Sequence, residues 1–420
     1  MFLKDFFPKL KKKYSKIKFK GIAFNSKSVK KNFIFFAIKG NKIDGNKFIK
    51  EAIKNGAKII ISKEIKERLN NNILYLYNRN PRKLLAQIIS KINNKKPNNL
   101  IAVTGTNGKS SIANFYYQIL KLNKIKSASI GTLGVHGINY KKKISNTTFD
   151  PLALNKLLNL LKIKKINNVI LEASSHGLKQ NRLDGLKFNT GIFTNLSRDH
   201  LDYHKTFKDY LDSKLILFNK LMKKNSNIIY DNNIKESRKL KKISTLRKLK
   251  SLNIGYKNSD LKIVSHKFVN YEQKIKFLMN NKIYSFSTKL IGKIQIKNVL
   301  MATLAAYKSN LSLKKIIKSL QKLKPVTGRL EKIGHLKNNS LVILDYAHSP
   351  AALDICLKNI SEQFKFRKIN LVFGCGGERD KPKRKIMGKI ANKYCNKIYL
   401  TDDNPRSENP KKIRDDIKVN

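Results

Sequence analysis

Short apolar runs alternate with lysine-rich amphipathic stretches along the first 96 residues. NFIFFAI and AKIIIS have the length and β-branched content of buried strands, and KFIKEAIKNG has helical spacing. This alternation predicts a small α/β unit over residues 1–96. The polar segment KINNKKPNN, residues 91–99, contains one proline and predicts a linker.

A sharper pattern begins at Leu100. The run LIAVTG predicts a strand, a glycine turn follows it, and SSIANFYYQILKL predicts a helix. NNVILEAS and TGIFTNLS are further candidate buried strands, each ending in polar residues. This order is typical of a parallel sheet, in which functional groups gather beyond the carboxyl ends of the strands. Residues 224–290 carry less signal, and KESRKLKKISTLRKLK within them predicts only a solvated helix.

The strand-and-loop pattern restarts after PVTGRLEKI. SLVILDYAHSP, INLVFGCGG and NKIYLTDDNP each predict a strand followed by a polar loop, with helices between them. We therefore predict an α/β protein of three domains, with a P-loop ATPase-like parallel sheet in the middle and a Rossmann-like domain at the end. The predicted boundaries are 1–96, 97–325 and 326–420.

The formal net charge of +63 allows two interpretations. Clustered lysine and arginine would indicate a nucleic-acid surface, whereas a genome bias would spread lysine, asparagine and isoleucine over permissive positions. The lysines here run evenly from KKKYSKIKFK to NPKKIRDDIK, without an arginine-rich arm. We favour the bias, and expect weak non-specific attraction to polyanions but no specific nucleic-acid partner.

Cysteine usage and the ends of the chain bear on its location. Cys356, Cys375 and Cys395 are odd in number and form no C-x-x-C pair, which fits reduced thiols better than a disulfide framework. MFLKDFFPKLKKKYSK lacks the small-residue cleavage site of a signal peptide. No run approaches the roughly 18 apolar residues of a membrane span. We expect a cytoplasmic protein that does not insert into membranes.

The segment TGTNGKSS between a predicted strand and helix predicts a phosphate-binding loop. Gly105 and Gly108 allow backbone amides to face an anion at the helix N-terminus, where the helix dipole favours negative charge. Lys109 can neutralise β- and γ-phosphates, and the Ser110 hydroxyl can hold Mg²⁺. Val103 stands where the usual spacing has glycine, so the loop is a variant. A tight turn with a chance lysine explains the segment less well.

Other candidate groups are weak when taken alone. Glu172 ends the strand VILE beside this loop and could anchor magnesium, although a lone glutamate there is more often a structural hydrogen-bond partner. His200 and His204 are spaced like a metal pair, but no third ligand is near in sequence. Nothing local distinguishes Lys214 from the other helix lysines.

Eight motifs in order carry a family resemblance: TGTNGKSS, NTTFDPLAL, LEASSHGLKQNR, TNLSRDHLDYH, TGRLEKI, LDYAHSP, GCGGERDKPKR and DDNPR. Together they resemble the Mur ligase family over nearly the whole chain. The resemblance implies an ATP-dependent ligase that joins meso-2,6-diaminopimelate to the D-glutamyl γ-carboxylate of UDP-N-acetylmuramoyl-L-alanyl-D-glutamate through an acyl phosphate. That reaction would serve peptidoglycan synthesis, and so cell-wall biogenesis, cell shape and cell division. We expect a monomer with small-molecule substrates.

The resemblance also implies residue roles. Catalytic roles fall on Lys109, His200 and Lys214. The magnesium ligands would be Ser110, Glu172, His200 and a CO₂-derived carbamate on Lys214. ATP would be held by Gly105, Thr106, Asn107, Gly108, Lys109, Ser110, Ser111, Asn298, Arg329 and Asp345. The UDP-linked substrate would meet Ser26, Asn41, Lys42, Ile43, Asn146, Thr147, Thr148, Ser174, Gln180 and Arg182. The amino acid would meet Arg379, Asp403, Asn404, Pro405 and Arg406.

The loop TDDNPRSENP illustrates how the substrate could be recognised. The distal end of diaminopimelate carries an ammonium and a carboxylate, and lysine lacks that carboxylate. Asp403 and Arg406 could pair with both charges, because a guanidinium gives two charge-assisted hydrogen bonds to a carboxylate. A polar turn fixed by Pro405 is the simpler alternative.

Departures from the family and other functions complete the expectations. Lys27 stands where many relatives have arginine, and Gln295 stands where they often have asparagine. Relatives continue beyond the point where this chain stops, fourteen residues after Arg406, so we expect an incomplete third domain. The alternatives are a sibling ligase using L-lysine, a folylpolyglutamate synthase, and a truncated, inactive basic binding protein.

Overall fold

The computed structural model describes residues 1–7, 10–40, 43–140, 146–378 and 380–418. The chain divides into two compact units. One contains Met1–Pro97, Phe149–Lys164 and His176–Lys187, and the other contains Asn98–Thr148, Lys165–Ser175 and Phe188–Asn420. The three-domain boundaries predicted from the sequence stay a prediction.

The first unit is built on a five-stranded sheet. Its strands are β1 (Gly21–Ala23), β2 (Phe33–Phe36), β3 (Ala57–Ser62), β4 (Arg68–Asn70) and β5 (Ile73–Tyr77), in the order β1-β2-β3-β5-β4. All neighbours are parallel except β4 and β5. Helices α1 (Ile49–Lys54), α2 (Pro81–Ile92) and α4 (Pro151–Ile163) belong to this unit. The predicted α/β character of residues 1–96 is confirmed.

The second unit contains a ten-stranded mixed sheet in the order β15-β14-β13-β12-β11-β10-β6-β9-β7-β8. Its strands are β6 (Asn99–Thr104), β7 (Ser127–Gly131), β8 (Gly134–His136), β9 (Asn168–Glu172), β10 (Phe188–Phe193), β11 (Met222–Asp231), β12 (Lys250–Gly255), β13 (Leu261–Val269), β14 (Glu272–Met279) and β15 (Lys282–Thr288). Strands β7, β9, β6, β10, β11 and β12 run parallel. The predicted parallel sheet is confirmed.

Register brings the functional loops to one edge of this sheet. Val103 lies opposite Glu172, and Thr104 lies opposite Phe193, so β6, β9 and β10 end together. Because polar loops follow each of these strands, their side chains meet beyond the carboxyl edge.

Helices cover the sheet and close its core. They are α3 (Lys109–Leu122), α6 (Leu201–His204), α7 (Phe207–Ile216), α8 (Ser237–Leu246), α9 (Lys293–Tyr307) and α10 (Leu313–Leu320). Helix α5 (Ser175–Lys179) belongs to the first unit except for Ser175. Apolar residues of α3 and α9, among them Phe115, Ile119 and Leu300, are fully buried with the sheet strands. A π-helical turn, Leu217–Leu221, continues α7.

The last part of the chain has two small sheets and three helices. Strand β16 (Glu331–His335) pairs antiparallel with β17 (Leu341–Leu344), and β18 (Asn370–Phe373) pairs parallel with β19 (Lys397–Leu400). Helices α11 (Pro350–Gln363), α12 (Lys383–Tyr394) and α13 (Pro410–Ile417) pack with β18 and β19 around Leu357 and Met387, and α11 also packs with β17. All three predicted strand-then-loop units are present.

Residues 224–290 contain more structure than the sequence indicated. The predicted solvated helix is α8, but the stretch also holds most of β11 and all of β12–β15. No helix within the described parts of the chain has the length and apolarity needed to cross a membrane.

Candidate active site

The glycine loop, residues 104–111, joins β6 to α3 and depends on two glycines. Gly105 has φ +144° and Gly108 has φ +87°, conformations that side chains with a Cβ rarely adopt. A Cβ on Gly105 would lie 1.8 Å from Thr194 Oγ1, and one on Gly108 would lie 2.6 Å from Asn298 Oδ1. Glycine is therefore required at both positions, because the backbone angles are unfavourable for other residues and because neighbouring side chains leave no room for a Cβ.

Residues that follow β10 fasten the glycine loop. Thr194 donates its hydroxyl to the Asn107 carbonyl at 2.6 Å, and the Asn107 amide donates to Asn195 Oδ1 at 3.0 Å. On its other side Thr106 Oγ1 lies 3.1 Å from the Tyr210 hydroxyl. These neutral hydrogen bonds fix the loop backbone against its neighbours.

Two buried lysines share one carbonyl oxygen of this loop. Lys109 Nζ donates to the Gly105 carbonyl at 3.0 Å and to the Thr106 carbonyl at 2.7 Å, while Lys214 Nζ donates to the same Gly105 oxygen at 2.7 Å. Burial, and secondarily the positive charge of Lys109, holds the pKa of Lys214 well below its ordinary value. Burial also lowers the pKa of Lys109. Lys214 is 1% exposed, so burial distinguishes it from an ordinary solvated helix lysine.

Glu172 ends β9 with its carboxylate turned into the same cavity. Its Oε1 accepts from the Thr132 amide at 2.9 Å, and its Oε2 accepts from the Thr132 hydroxyl at 3.2 Å. A Cβ on Gly131 would lie 2.1 Å from Glu172 Oε1, so a glycine makes room for the carboxylate. Ser110, in the first turn of α3, lines the cavity with Glu172.

The two histidines of NLSRDHLDYH have different surroundings. His200 has φ +54°, and its Nε2 lies 3.5 Å from Asp199 Oδ2. The pKa of His200 is lowered, mainly because the imidazole is buried. His204 is fully buried, with Nε2 3.0 Å from Ser175 Oγ and Nδ1 3.3 Å from Ser213 Oγ. These contacts make His204 a buried structural group.

The opposite wall of the cavity comes from α9 and from the segment around β16 and β17. Asn298 Nδ2 donates to Gln295 Oε1 at 3.0 Å, and Gln295 Nε2 donates to the Arg329 carbonyl at 3.0 Å. Asp345 Oδ2 accepts from the Leu330 amide at 2.8 Å, and burial raises the pKa of this carboxyl. Gln295 thus links two candidate nucleotide contacts, Asn298 and Arg329.

These groups enclose a first cavity of about 280 Å³. Of the predicted ATP and magnesium residues, all but Gly105 line it: Thr106, Asn107, Gly108, Lys109, Ser110, Ser111, Glu172, His200, Lys214, Asn298, Arg329 and Asp345. A second cavity of about 300 Å³ is lined by Gly376, Asp380, Lys383, Asp403 and Arg406 together with Arg198, Asp202 and others. Both cavities share Asp199, His200, Tyr346 and His348, so they adjoin.

The DNPR loop, residues 402–409, forms one wall of the second cavity. Arg406 has φ +53° and donates from Nη1 to the Gly377 carbonyl, and the Gly377 amide donates to the Asn404 carbonyl at 2.9 Å. Asp403 and Arg406 line the cavity, but Asn404 and Pro405 do not. Arg379 lies outside the described residues.

The predicted contacts of the UDP-linked substrate fall in both units. Thr147 and Ser174 line the first cavity, and Thr148 Oγ1 bonds to the Glu172 carbonyl at 2.9 Å. In the first unit, Ser26 is buried and donates to Glu51 Oε2 at 3.0 Å, and Ile43 is 65% exposed. Also there, Arg182 donates to Gln180 Oε1 through Nε at 3.0 Å and Nη2 at 2.7 Å. Asn146 belongs to the second unit, and Asn41 and Lys42 lie outside the described residues.

Sequence reasoning missed several residues of the two cavities. Asp199, Tyr346 and His348 line both cavities. Thr132 lines the first cavity, and its amide donates a hydrogen bond to Glu172. Asp199, Tyr346 and His348 stand inside the motifs SRDH and DYAH, beside residues that were chosen. The position of Thr132 directly after the buried strand β7 was the available signal.

Three family descriptions match the chain: "Mur ligase family, catalytic domain" at residues 18–93, "Mur ligase middle domain" at 103–306, and "Mur ligase, glutamate ligase domain" at 328–420. The UDP-N-acetylmuramoyl-L-alanyl-D-glutamate–2,6-diaminopimelate ligase of Rickettsia bellii (strain RML369-C) is 40% identical over 98% of this chain and 85% of its own. The Rickettsia montanensis protein of that name is also 40% identical, over 97% and 85%.

A solved structure of a protein with the same name has the same fold. It covers 99% of this chain and 85% of its own, with a TM-score of 0.76 and 27% identity. The α/β fold class predicted from the sequence is confirmed by this likeness. Taken with the three family matches, it shows that the chain belongs to the Mur ligase family of ATP-dependent ligases.

Proposed function

We propose that this ligase joins 2,6-diaminopimelate to the D-glutamyl γ-carboxylate of UDP-N-acetylmuramoyl-L-alanyl-D-glutamate at the expense of ATP. The relatives that are 40% identical carry the name of this activity. The observation that carries the proposal is the pair of adjoining cavities, one walled by the glycine loop and the other by Asp403 and Arg406. An activated acid formed in the first would lie next to an amine held in the second.

The reaction would have two chemical steps. An oxygen of the substrate carboxylate attacks the γ-phosphorus of ATP and expels ADP, giving an acyl phosphate. The amine nitrogen then attacks the acyl carbon, loses a proton, and expels inorganic phosphate to leave the amide. Both reactants of the first step are anions, so preorganised positive charge and orientation supply most of the acceleration.

The glycine loop and Lys109 would hold the phosphates of ATP. Lys109 is tethered by two loop carbonyls and is the first residue of helix α3, whose N-terminus would favour an anion in this cavity. Asn298, Arg329 and Asp345 would contact the nucleoside end, where the Asp345 carboxylate would accept a hydrogen bond from a ribose hydroxyl. Arg329 also lies over the Tyr346 ring, 4.8 Å from its centroid.

Lys214 is suited to become a carbamate. Two ammonium groups would have to share the Gly105 carbonyl, and the lowered pKa of Lys214 instead favours its neutral amine. A neutral amine adds CO₂ and releases a proton, which converts a cation into an anionic carbamate. The resulting oxygen donors would extend toward His200, which lines the same cavity.

The candidate protein ligands fit a magnesium ion whose remaining ligands come from the substrate. The described residues contain no cluster of three or more His, Cys, Asp or Glu side chains, so the protein groups alone would not form a closed metal cage. Magnesium in nucleotide enzymes takes one or two carboxylates together with phosphate oxygens and waters. Ser110 and Glu172, which line one side of the cavity, and His200 with a carbamate on Lys214 would be its ligands. The ion would neutralise charge on the phosphates.

Substrate choice would rest on the DNPR loop. Asp403 would pair with the distal ammonium of diaminopimelate and Arg406 with its distal carboxylate. L-Lysine has the distal ammonium but no distal carboxylate, so it would form no ion pair with the Arg406 guanidinium. We place the reaction in the cytoplasm, as a step of peptidoglycan precursor synthesis that supports cell shape and division, and we expect a monomer.

A coupled assay tests the proposal. The purified chain is incubated with ATP, Mg²⁺, UDP-N-acetylmuramoyl-L-alanyl-D-glutamate and either diaminopimelate or L-lysine, and product mass and phosphate release are measured. We expect a tripeptide product with diaminopimelate and phosphate release that requires the UDP-linked acid. Comparable turnover of L-lysine would contradict the proposed substrate, and phosphate release without the acid would contradict the proposed reaction.

A further inference from the structure

Arg384 is a buried cation that the proposed reaction does not use. It is the second residue of α12, and only 1% of it is exposed. Its Nη1 lies 2.8 Å from Asp416 Oδ2, and its Nη2 lies 2.9 Å from Glu408 Oε2 and 3.4 Å from the Gly376 carbonyl. One guanidinium therefore joins α12 and α13 to two loops that help line the second cavity, the DNPR loop and the loop of residues 374–378.

The two loops are also joined to each other, next to Arg384. Glu408 Oε1 accepts from the Glu378 amide, while Glu378 Oε1 accepts from the Ser407 hydroxyl and, at 3.4 Å, from the Ser407 amide. The side chain of each loop thus satisfies the backbone of the other. We call the set Gly376, Glu378, Arg384, Ser407 and Glu408 the loop clasp.

The loop clasp holds backbone that would otherwise relax. Glu378 has φ +51° and Arg406 has φ +53°, which are left-handed conformations that cost energy in residues with a Cβ. Such angles persist only where the surroundings fix them. Arg406 lies between Pro405 and the clasp residue Ser407, and its Nη1 reaches the Gly377 carbonyl beside Gly376. Releasing the clasp would free the segment that presents Arg406 and Asp403 to the second cavity.

We propose that Arg384 is a positioning residue for the amino-acid substrate, acting through Glu408 and Gly376 on the DNPR loop. This inference rests on the proposed function of that loop. Arg384 does not line the second cavity, so its effect on substrate is indirect. The planar fork of arginine reaches three acceptors at once, and a lysine ammonium at the same place keeps the charge without that geometry.

Kinetics of Arg384→Lys test the inference. We expect the KM for diaminopimelate to rise about tenfold or more, with the KM for ATP and for the UDP-linked acid unchanged within about twofold, because only the DNPR loop is displaced. The matched control is Lys389→Ala, an exposed lysine on the same helix, which should leave all three constants unchanged. A purely structural role would lower kcat through a smaller folded fraction and leave every KM unchanged, and that result overturns the inference.

A second variant decides the matter if Arg384→Lys does not fold. Glu378→Gln combined with Ser407→Ala keeps the buried cation and weakens only the exposed side of the clasp. We expect the same KM to rise about fivefold, the effect of losing roughly one hydrogen bond. An unchanged KM for diaminopimelate in this folded variant overturns the inference alone. Wild-type protein that turns over no amino acid overturns the proposed function, and the inference with it.

Discussion

The glycine loop and the DNPR loop each follow a strand, yet they are held in opposite ways. The glycine loop is mostly buried, and neutral hydrogen bonds from Thr194, Asn195 and Tyr210 fasten its backbone. The DNPR loop is mostly exposed and is fastened by the charged side chains of Arg384 and Glu408. The first loop is fixed by packing and backbone angle, and the second is fixed by ion pairs.

This difference matches what each loop would bind. The proposed reaction would use the triphosphate of ATP whichever amino acid is added, and backbone amides at a helix N-terminus suit such an anion. An amino acid must be told from near neighbours, which requires side chains placed to meet specific charges. We therefore expect changes near the glycine loop to affect all substrates and changes in the DNPR loop to affect only one.

The largest expected effect comes from Lys214→Ala. The variant cannot form the proposed carbamate and so would lose a magnesium ligand beside the glycine loop, and we expect kcat to fall about 10²–10³-fold. Lys208→Ala, an exposed lysine on the same helix α7, is the control and should retain full activity. Intact-mass and ¹³C NMR measurements under ¹³CO₂ should show one carbamate in wild type that Lys214→Ala lacks. Full activity of Lys214→Ala would remove this residue from the site.

Arg406→Ala should affect one substrate only. Losing a charge-assisted pair to the distal carboxylate should lower kcat/KM for diaminopimelate about 10- to 100-fold. The KM for ATP should not change, because Arg406 lies on the second cavity and not on the first. L-Lysine turnover is the internal control, since lysine has no distal carboxylate. Equal losses for both amino acids would show that Arg406 does not read that group.

Features set by neighbouring residues in the sequence could be predicted, and features set by contacts between distant residues could not. Strand-then-glycine patterns are local, so the parallel sheet and the glycine loop were predictable from LIAVTGTNGKSS alone. Lys214 could be found only through family resemblance, because its partner carbonyl on Gly105 lies 109 residues away. Arg384 was not chosen at all, since its neighbours Glu408 and Asp416 come from later segments.

The missed strands of residues 224–290 have a different physical reason. Strand β14 alternates buried and exposed positions, with Lys274 and Lys276 on its exposed face. In a chain with lysine at so many surface positions, this alternation does not stand out from the helical stretches. A strand in which apolar and polar residues alternate was therefore not predicted, whereas the continuous apolar runs of β6 and β9 were.

Gly108→Ala sharpens the contrast from the side of the glycine loop. The left-handed backbone and the approach to Asn298 Oδ1 should raise the KM for ATP about tenfold, with the KM for diaminopimelate nearly unchanged. Gly334→Ala is the matched control, because no atom lies within 4 Å of the added Cβ. If both variants bind ATP like wild type, the loop does not need glycine at this position, and its role as a phosphate cradle loses its support.

The smallest expected effect concerns Asp345 and the pH dependence of stability. Burial raises the pKa of this carboxyl above its ordinary value of 3.8, so between that value and the raised pKa the folded protein binds more protons than the unfolded chain. Over that interval this carboxyl makes the free energy of unfolding fall as pH rises.

Asp345→Asn can still accept a hydrogen bond from the Leu330 amide, but its side chain does not titrate. Its stability relative to wild type should therefore increase with pH across the interval and then level off above the raised pKa. Denaturant unfolding of both proteins between pH 4 and pH 8 measures this difference, with Asp402→Asn, an exposed carboxylate of the DNPR loop, as the control. A difference that stays flat with pH, or that falls as pH rises, would mean that the cavity does not disfavour the charge on Asp345.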